Sequence, residues 1–143
     1  MKIAVKRVGK PLEIVETNQK YRTNAVREYI KVDEHKTCEY VYLNSEYTFS
    51  LGVNEVGLML ELPTNFLIHT SNPYFPIQKM VGTVVFVRTL PLTELDPYDY
   101  EVVDLTNDDF NYINSLLSKD YQLKLEEEFD DYGKGYAIFE KIF

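Results

Sequence analysis

The sequence predicts a single α+β domain built on a mostly antiparallel sheet with helices packed on one face. Three observations carry this. The chain has 143 residues, the size of one domain with one substantial core. Strand-like alternation fills most of its first two thirds, whereas helical spacing is confined to one early segment and a cluster near the end, an order that suits α+β. No repeat, low-complexity run or flexible linker divides residues 1–143.

Met1 to Arg7 alternates as a strand through Ile3 and Val5, Gly9-Lys10-Pro11 turns, and Leu12 to Glu16 forms a second strand. Thr23 is a candidate cap for a helix that reaches Val32 on the spacing of Val26, Tyr29 and Ile30. After a polar loop, Glu39 to Leu43 and Tyr47 to Leu51 read as a hairpin around Asn44-Ser45. Gly52 to Gly57 turns, and Leu58 to Leu62 is predicted as the next strand, with Leu58, Leu60 and Leu62 on one face. Residues 64–81, with Asn72-Pro73 and Pro76, have no clean period and read as a structured loop with one helical turn. Gly82 to Thr89 is the best strand, its near-continuous apolar character implying burial on both faces or a central position.

After Pro91 the pattern predicts a strand over Tyr98 to Leu105, then a helix capped by Thr106, with Asp108 and Asp109 at the positive end of its dipole and Phe110, Ile113, Leu116 and Leu117 as its apolar stripe. A second helix from Lys119 turns Tyr121, Leu125 and Phe129 inward and Glu126 to Glu128 outward; Gly133 and Gly135 end it, and Tyr136 to Phe143 closes the chain as a strand.

Charge is unevenly distributed within a net −8. Residues 1–36 hold nine Lys or Arg against five Asp or Glu, whereas residues 91–143 hold four against fourteen. The acidic half argues against direct binding of a nucleic-acid backbone. No apolar run approaches the ~20 residues that span a bilayer, and the N-terminus, broken by Lys6, Arg7 and Lys10, lacks the core of a secretory signal. A lone cysteine, Cys38, agrees with a reducing compartment. The expectation is a cytoplasmic protein without membrane contact.

Asn54-Glu55-x-Gly57, Leu62-Pro63-x-Asn65-x-x-Ile68 and Val81-Gly82-Thr83-x-x-x-Val87, with the opening MKIAVKRVGKPLEIVE, resemble a family described only as a domain of unknown function, found in small proteins of Gram-positive bacteria, their plasmids and phages. The resemblance covers residues 1–90. It implies a mobile-element origin and supplies no catalytic residues.

The residues suited to reaction chemistry do not combine into a recognisable catalytic pattern. His35 and Cys38 have metal-site spacing but no second pair, so no metal is expected. His69 beside Thr70 and Ser71 lacks an orienting acid, and the carboxylate pairs fall on helix starts and wet faces. No cofactor and no enzymatic activity are expected. Pro73-Tyr74-Phe75-Pro76 reads as a rigid turn over buried aromatics, and as an anchor pair if Tyr74 and Phe75 are exposed.

What remains is an acidic, tyrosine-rich segment. Asp99, Glu101, Asp108, Asp109, Glu126, Glu127, Asp130 and Asp131, with Tyr98, Tyr100, Tyr112 and Tyr132, are the candidate contacts to a host protein, one with a basic nucleic-acid groove that a row of carboxylates mimicking DNA would occupy as an inhibitor. The alternative is a small-molecule or nucleotide binder using the 63–80 loop through Asn65, His69, Asn72 and Lys79. Oligomeric state is not legible.

Overall fold

Val84 to Val87, four consecutive apolar residues at most 1% exposed, run through the centre of the molecule. The computed structural model describes the backbone of residues 1–74, 76–95 and 99–142, and side chains as far as Asp131. Its elements are β1 (Lys2–Lys6), β2 (Glu13–Glu16), α1 (Arg22–Ile30), β3 (Cys38–Tyr42), β4 (Phe49–Asn54), β5 (Thr64–His69), β6 (Ile77–Val81), β7 (Val84–Thr89), β8 (Val102–Val103), α2 (Asn107–Leu116) and α3 (Lys119–Ile142). A six-stranded sheet has the order β2-β1-β7-β4-β3, with β8 beside β7, and every pairing is antiparallel. This is an α+β domain.

The helices do not share one face. Ile3, Val5, Val85, Val87 and Val102 pack against Ala25, Val26 and Ile30 of α1. From the opposite face Ala4, Phe49, Leu51, Val84 and Phe86 meet Ile113 and Leu116 of α2, together with Phe66, Ile68 and Met80 of a separate β5-β6 hairpin. The reason is in β7: its run Val84 to Val87 is apolar on both faces and needs cover on both sides. The hairpin is itself an inner layer, because Leu67 and Ile77 on its far side pack on Leu125 of α3.

The β1-β2 and β3-β4 hairpins, the central β7 and the start of α2 follow the sequence pattern. Thr106 accepts from the Asp109 amide at 3.1 Å while the Asp109 carboxylate accepts from the Thr106 amide at 2.8 Å, a reciprocal cap.

Elsewhere the pattern misled. Leu58 to Leu62 is not a strand but a chain of turns, in which Leu60 N–H donates to the Val56 carbonyl and Leu62 N–H to that of Gly57; Leu58 and Met59 are 73% and 82% exposed. The strand begins at Thr64, so residues 64–81 are a hairpin whose two prolines lie in its connection. It lacks alternation because both its faces are covered. Tyr74 in that connection is 76% exposed rather than buried, and Phe75 lies outside the described residues. Among the described residues of the predicted 98–105 strand, only Val102–Val103 pairs with β7. The α1 cap position is Tyr21, with no side-chain cap, and Thr23 sits inside the helix. Gly133 and Gly135 do not end α3, which continues to Ile142 where a closing strand was expected; each glycine costs about 1 kcal/mol relative to alanine, too little to stop an established helix.

β4 extends through Gly52 instead of turning there. A Cβ at this position would lie 2.6 Å from Val26 Cγ1, so glycine sets how closely α1 approaches the sheet. Gly52→Ala is expected to lower stability by about 1–3 kcal/mol, the usual cost of overpacking, measurable by urea denaturation.

Candidate functional site

The predicted acidic contacts fall into separate places. Glu126, Glu127, Asp130 and Asp131 are exposed on α3, Glu127 and Asp131 turned away from the side anchored through Leu125 and Glu126 and Asp130 along its flank. Their spacing makes two adjacent i, i+4 columns, Glu126 with Asp130 and Glu127 with Asp131. None forms an ion pair within 4.0 Å among the described residues. Glu126 and Asp130 border a shallow groove that also contains Lys79 and Phe129. Asp108 is exposed at the start of α2, and Tyr112, further along, is 44% exposed with its ring edge-on to Phe49.

Asp99 and Glu101 are half-buried near β8, bordering a depression with Lys20 and Leu90. Asp109 differs in kind. It is 3% exposed and grips Arg88 through two hydrogen bonds of 2.6 Å, so its carboxylate faces inward and is not offered to a partner. Tyr98 and the Tyr132 side chain lie outside the described residues.

The four residues of the ligand-binding alternative are also divided. His69 and Asn72 share an open cleft of about 370 Å³ between the hairpin and β3, bordered by Glu39, Tyr42 and Gln78. His69 Nε2 lies 3.1 Å from Glu128 Oε2. Asn65 is structural: its amide donates to the Lys6 and Gly82 carbonyls at 2.7 and 2.8 Å, pinning the hairpin to β1. Lys79 stands over the Phe129 ring on the α3 side, 4.9 Å from its centroid.

One constellation escaped the sequence reading. Arg22, the first residue of α1, is 5% exposed. Its guanidinium lies between two rings, 3.7 Å from the Tyr40 centroid and 4.1 Å from that of Tyr100. Both terminal nitrogens donate to the Tyr42 hydroxyl, and Nη1 also to Ser50 Oγ, all at 3.4 Å. Nε has no partner, nor has the buried Thr89 hydroxyl. No carboxylate approaches Arg22 within 4.0 Å among the described residues.

The phenols register this field. Burial pushes Tyr40 up to about 12. Burial also acts upward on Tyr42, but hydrogen bonding with Arg22 and Tyr100, together with the Arg22 charge, holds it below the ordinary tyrosine value. The only sequence trace of the cage is the Tyr40-x-Tyr42 spacing, which sends both rings to the α1 face of β3. No protein-family model, curated protein or solved structure matches the chain.

Proposed function

We propose that this is a non-enzymatic binding protein, of the phage or mobile-element origin its family resemblance implies, that docks on a host protein carrying a basic nucleic-acid groove. The observation that supports the reading is the pair of acid columns on α3, exposed and without ion pairs among the described residues. Like charges at i, i+4 destabilise a helix by a few tenths of a kcal/mol per pair. A cationic groove relieves that repulsion and turns it into attraction. Because α3 is anchored to the hairpin through Leu125, the columns are held in a fixed direction, as backbone mimicry requires. Asp108, Tyr112 and the Asp99-Glu101 segment supply additional contact area around the helix.

The quadruple reversal Glu126→Lys, Glu127→Lys, Asp130→Lys and Asp131→Lys is the test. Native protein is expected to capture a basic nucleic-acid-binding protein from host lysate at low salt, to release it at high salt, and to lose it to competing duplex DNA. The association rate should fall steeply with ionic strength, as steered encounters do. The reversed variant should capture nothing. Equal capture by the two proteins, or capture indifferent to salt and DNA, would remove the proposal.

A further inference from the structure

The Arg22 cage leaves an electrostatic problem unsolved. A guanidinium at 5% exposure has lost nearly all its water, and a buried charge without a counter-charge is costly. Its position makes matters worse. Arg22 opens α1, where the helix dipole is positive, and the first turn contains no acid and no side-chain cap. Ring faces offset part of the cost, yet the hydrogen bonds at 3.4 Å are long beside the 2.7–2.9 Å typical of a guanidinium on an anion. The Tyr42 hydroxyl, shared by both terminal nitrogens, occupies the place where an oxyanion would bind in bidentate fashion.

That place can be reached. Tyr42 is 38% exposed on the edge strand β3, and Tyr47, whose ring meets it edge-on at 5.0 Å, is 57% exposed. A rotation of Tyr42 uncovers Nη1 and Nη2 without disturbing β4, and Tyr47 and Tyr100 then form an aromatic rim. Asp99 and Glu101 flank Tyr100 in the chain and oppose a polyanion. We infer that Arg22, Ser50 and the rim of Tyr42, Tyr47 and Tyr100 form a binding site for a small phosphate monoester carrying a flat ring, of the nucleoside monophosphate class. The phosphate replaces the Tyr42 hydroxyl on the guanidinium, and the base stacks on the rim.

The test is an NMR titration of the full chain with AMP, inorganic phosphate and adenosine, following the Arg22 Nε–H resonance and the melting temperature. AMP is expected to move the Nε–H signal and to raise the melting temperature. Phosphate should do so more weakly, and adenosine should leave Nε–H unmoved. Tyr42→Phe removes the competing hydroxyl and is expected to tighten AMP by roughly tenfold, the order expected for long hydrogen bonds from a charged donor; Arg22→Met should abolish binding. A stationary Nε–H signal at millimolar AMP overturns the inference, even if the melting temperature rises, since binding is then elsewhere. Binding retained by Arg22→Met, or unchanged in Tyr42→Phe, overturns it as well. Should Arg22→Met fail to fold, the native titration and Tyr42→Phe decide the matter.

Discussion

Asp109→Ala is expected to lower the free energy of unfolding by about 3–5 kcal/mol, the cost of leaving one member of a buried ion pair without the other. The Asp109 carboxylate serves two elements at once. It takes both hydrogen bonds from Arg88 on β7 and closes the reciprocal cap with Thr106 at the start of α2. Arg88, with its side chain 26% exposed, would be left facing a cavity. Asp109→Asn keeps the shape and loses the charge, so urea titrations of the two variants separate packing from electrostatics.

The pH dependence follows. Burial acts to raise the Asp109 pKa, but hydrogen bonds from Arg88 and the Thr106 amide outweigh it and hold the group below its ordinary 3.8. A carboxyl group depressed in the folded state stabilises fully above its unfolded value and loses that contribution as pH falls through the folded one. The stability gap between the native protein and Asp109→Asn should therefore be widest near neutral pH and close only on acidification below the ordinary carboxylate range. A gap that stayed constant into acid would exclude this linkage.

Leu125→Ala is the second large expectation, at about 2–5 kcal/mol for a fully buried leucine. Leu125 is 0% exposed and joins α3 to Leu67 and Ile77. Polar bonds reinforce it: the Gln122 side-chain amide exchanges hydrogen bonds with the Leu67 amide and carbonyl at 2.9 and 3.0 Å, and also donates to the Leu116 carbonyl at 2.7 Å. Loss of Leu125 should loosen α3 first, so hydrogen exchange is expected to accelerate over residues 119–131 before it does over β7. It should also weaken capture of a basic partner although every acid remains. Uniform acceleration across the sheet would mean that α3 and the sheet open as one unit.

Local patterns made some of this architecture legible. Val84 to Val87 announced a central strand, Thr106 with Asp109 a helix start, and Tyr121, Leu125 and Phe129 a helix anchored on one side. Misreadings arose where tertiary burial overrode a period. Leu58 to Leu62 alternates but is held in turns that begin at Asn54, whose side chain ties the Ile30 and His35 carbonyls and accepts from the Val56 amide. The β5-β6 hairpin, buried on both sides, has no alternation to detect. Site residues were harder still. Asp108 and Asp109 are adjacent in sequence, yet one is exposed and the other sealed against Arg88. Arg22 could not be singled out, because its cage is assembled from segments that are distant along the chain.

The position of β7 also governs the order in which the chain can fold. β1 pairs with residues 84–86, more than seventy positions downstream, and the same strand receives β4 on its other side and β8 at its far end. Until Val84 to Thr89 has been synthesised, the β1-β2 and β3-β4 hairpins have no strand to join them, and each exposes an apolar face. Such non-local pairing places folding toward the slow, millisecond-to-second range of small domains. A nascent chain halted before β7 should consequently be rich in hairpins but without a sheet, and the strand that completes the core is also the step at which the protein is most exposed to aggregation.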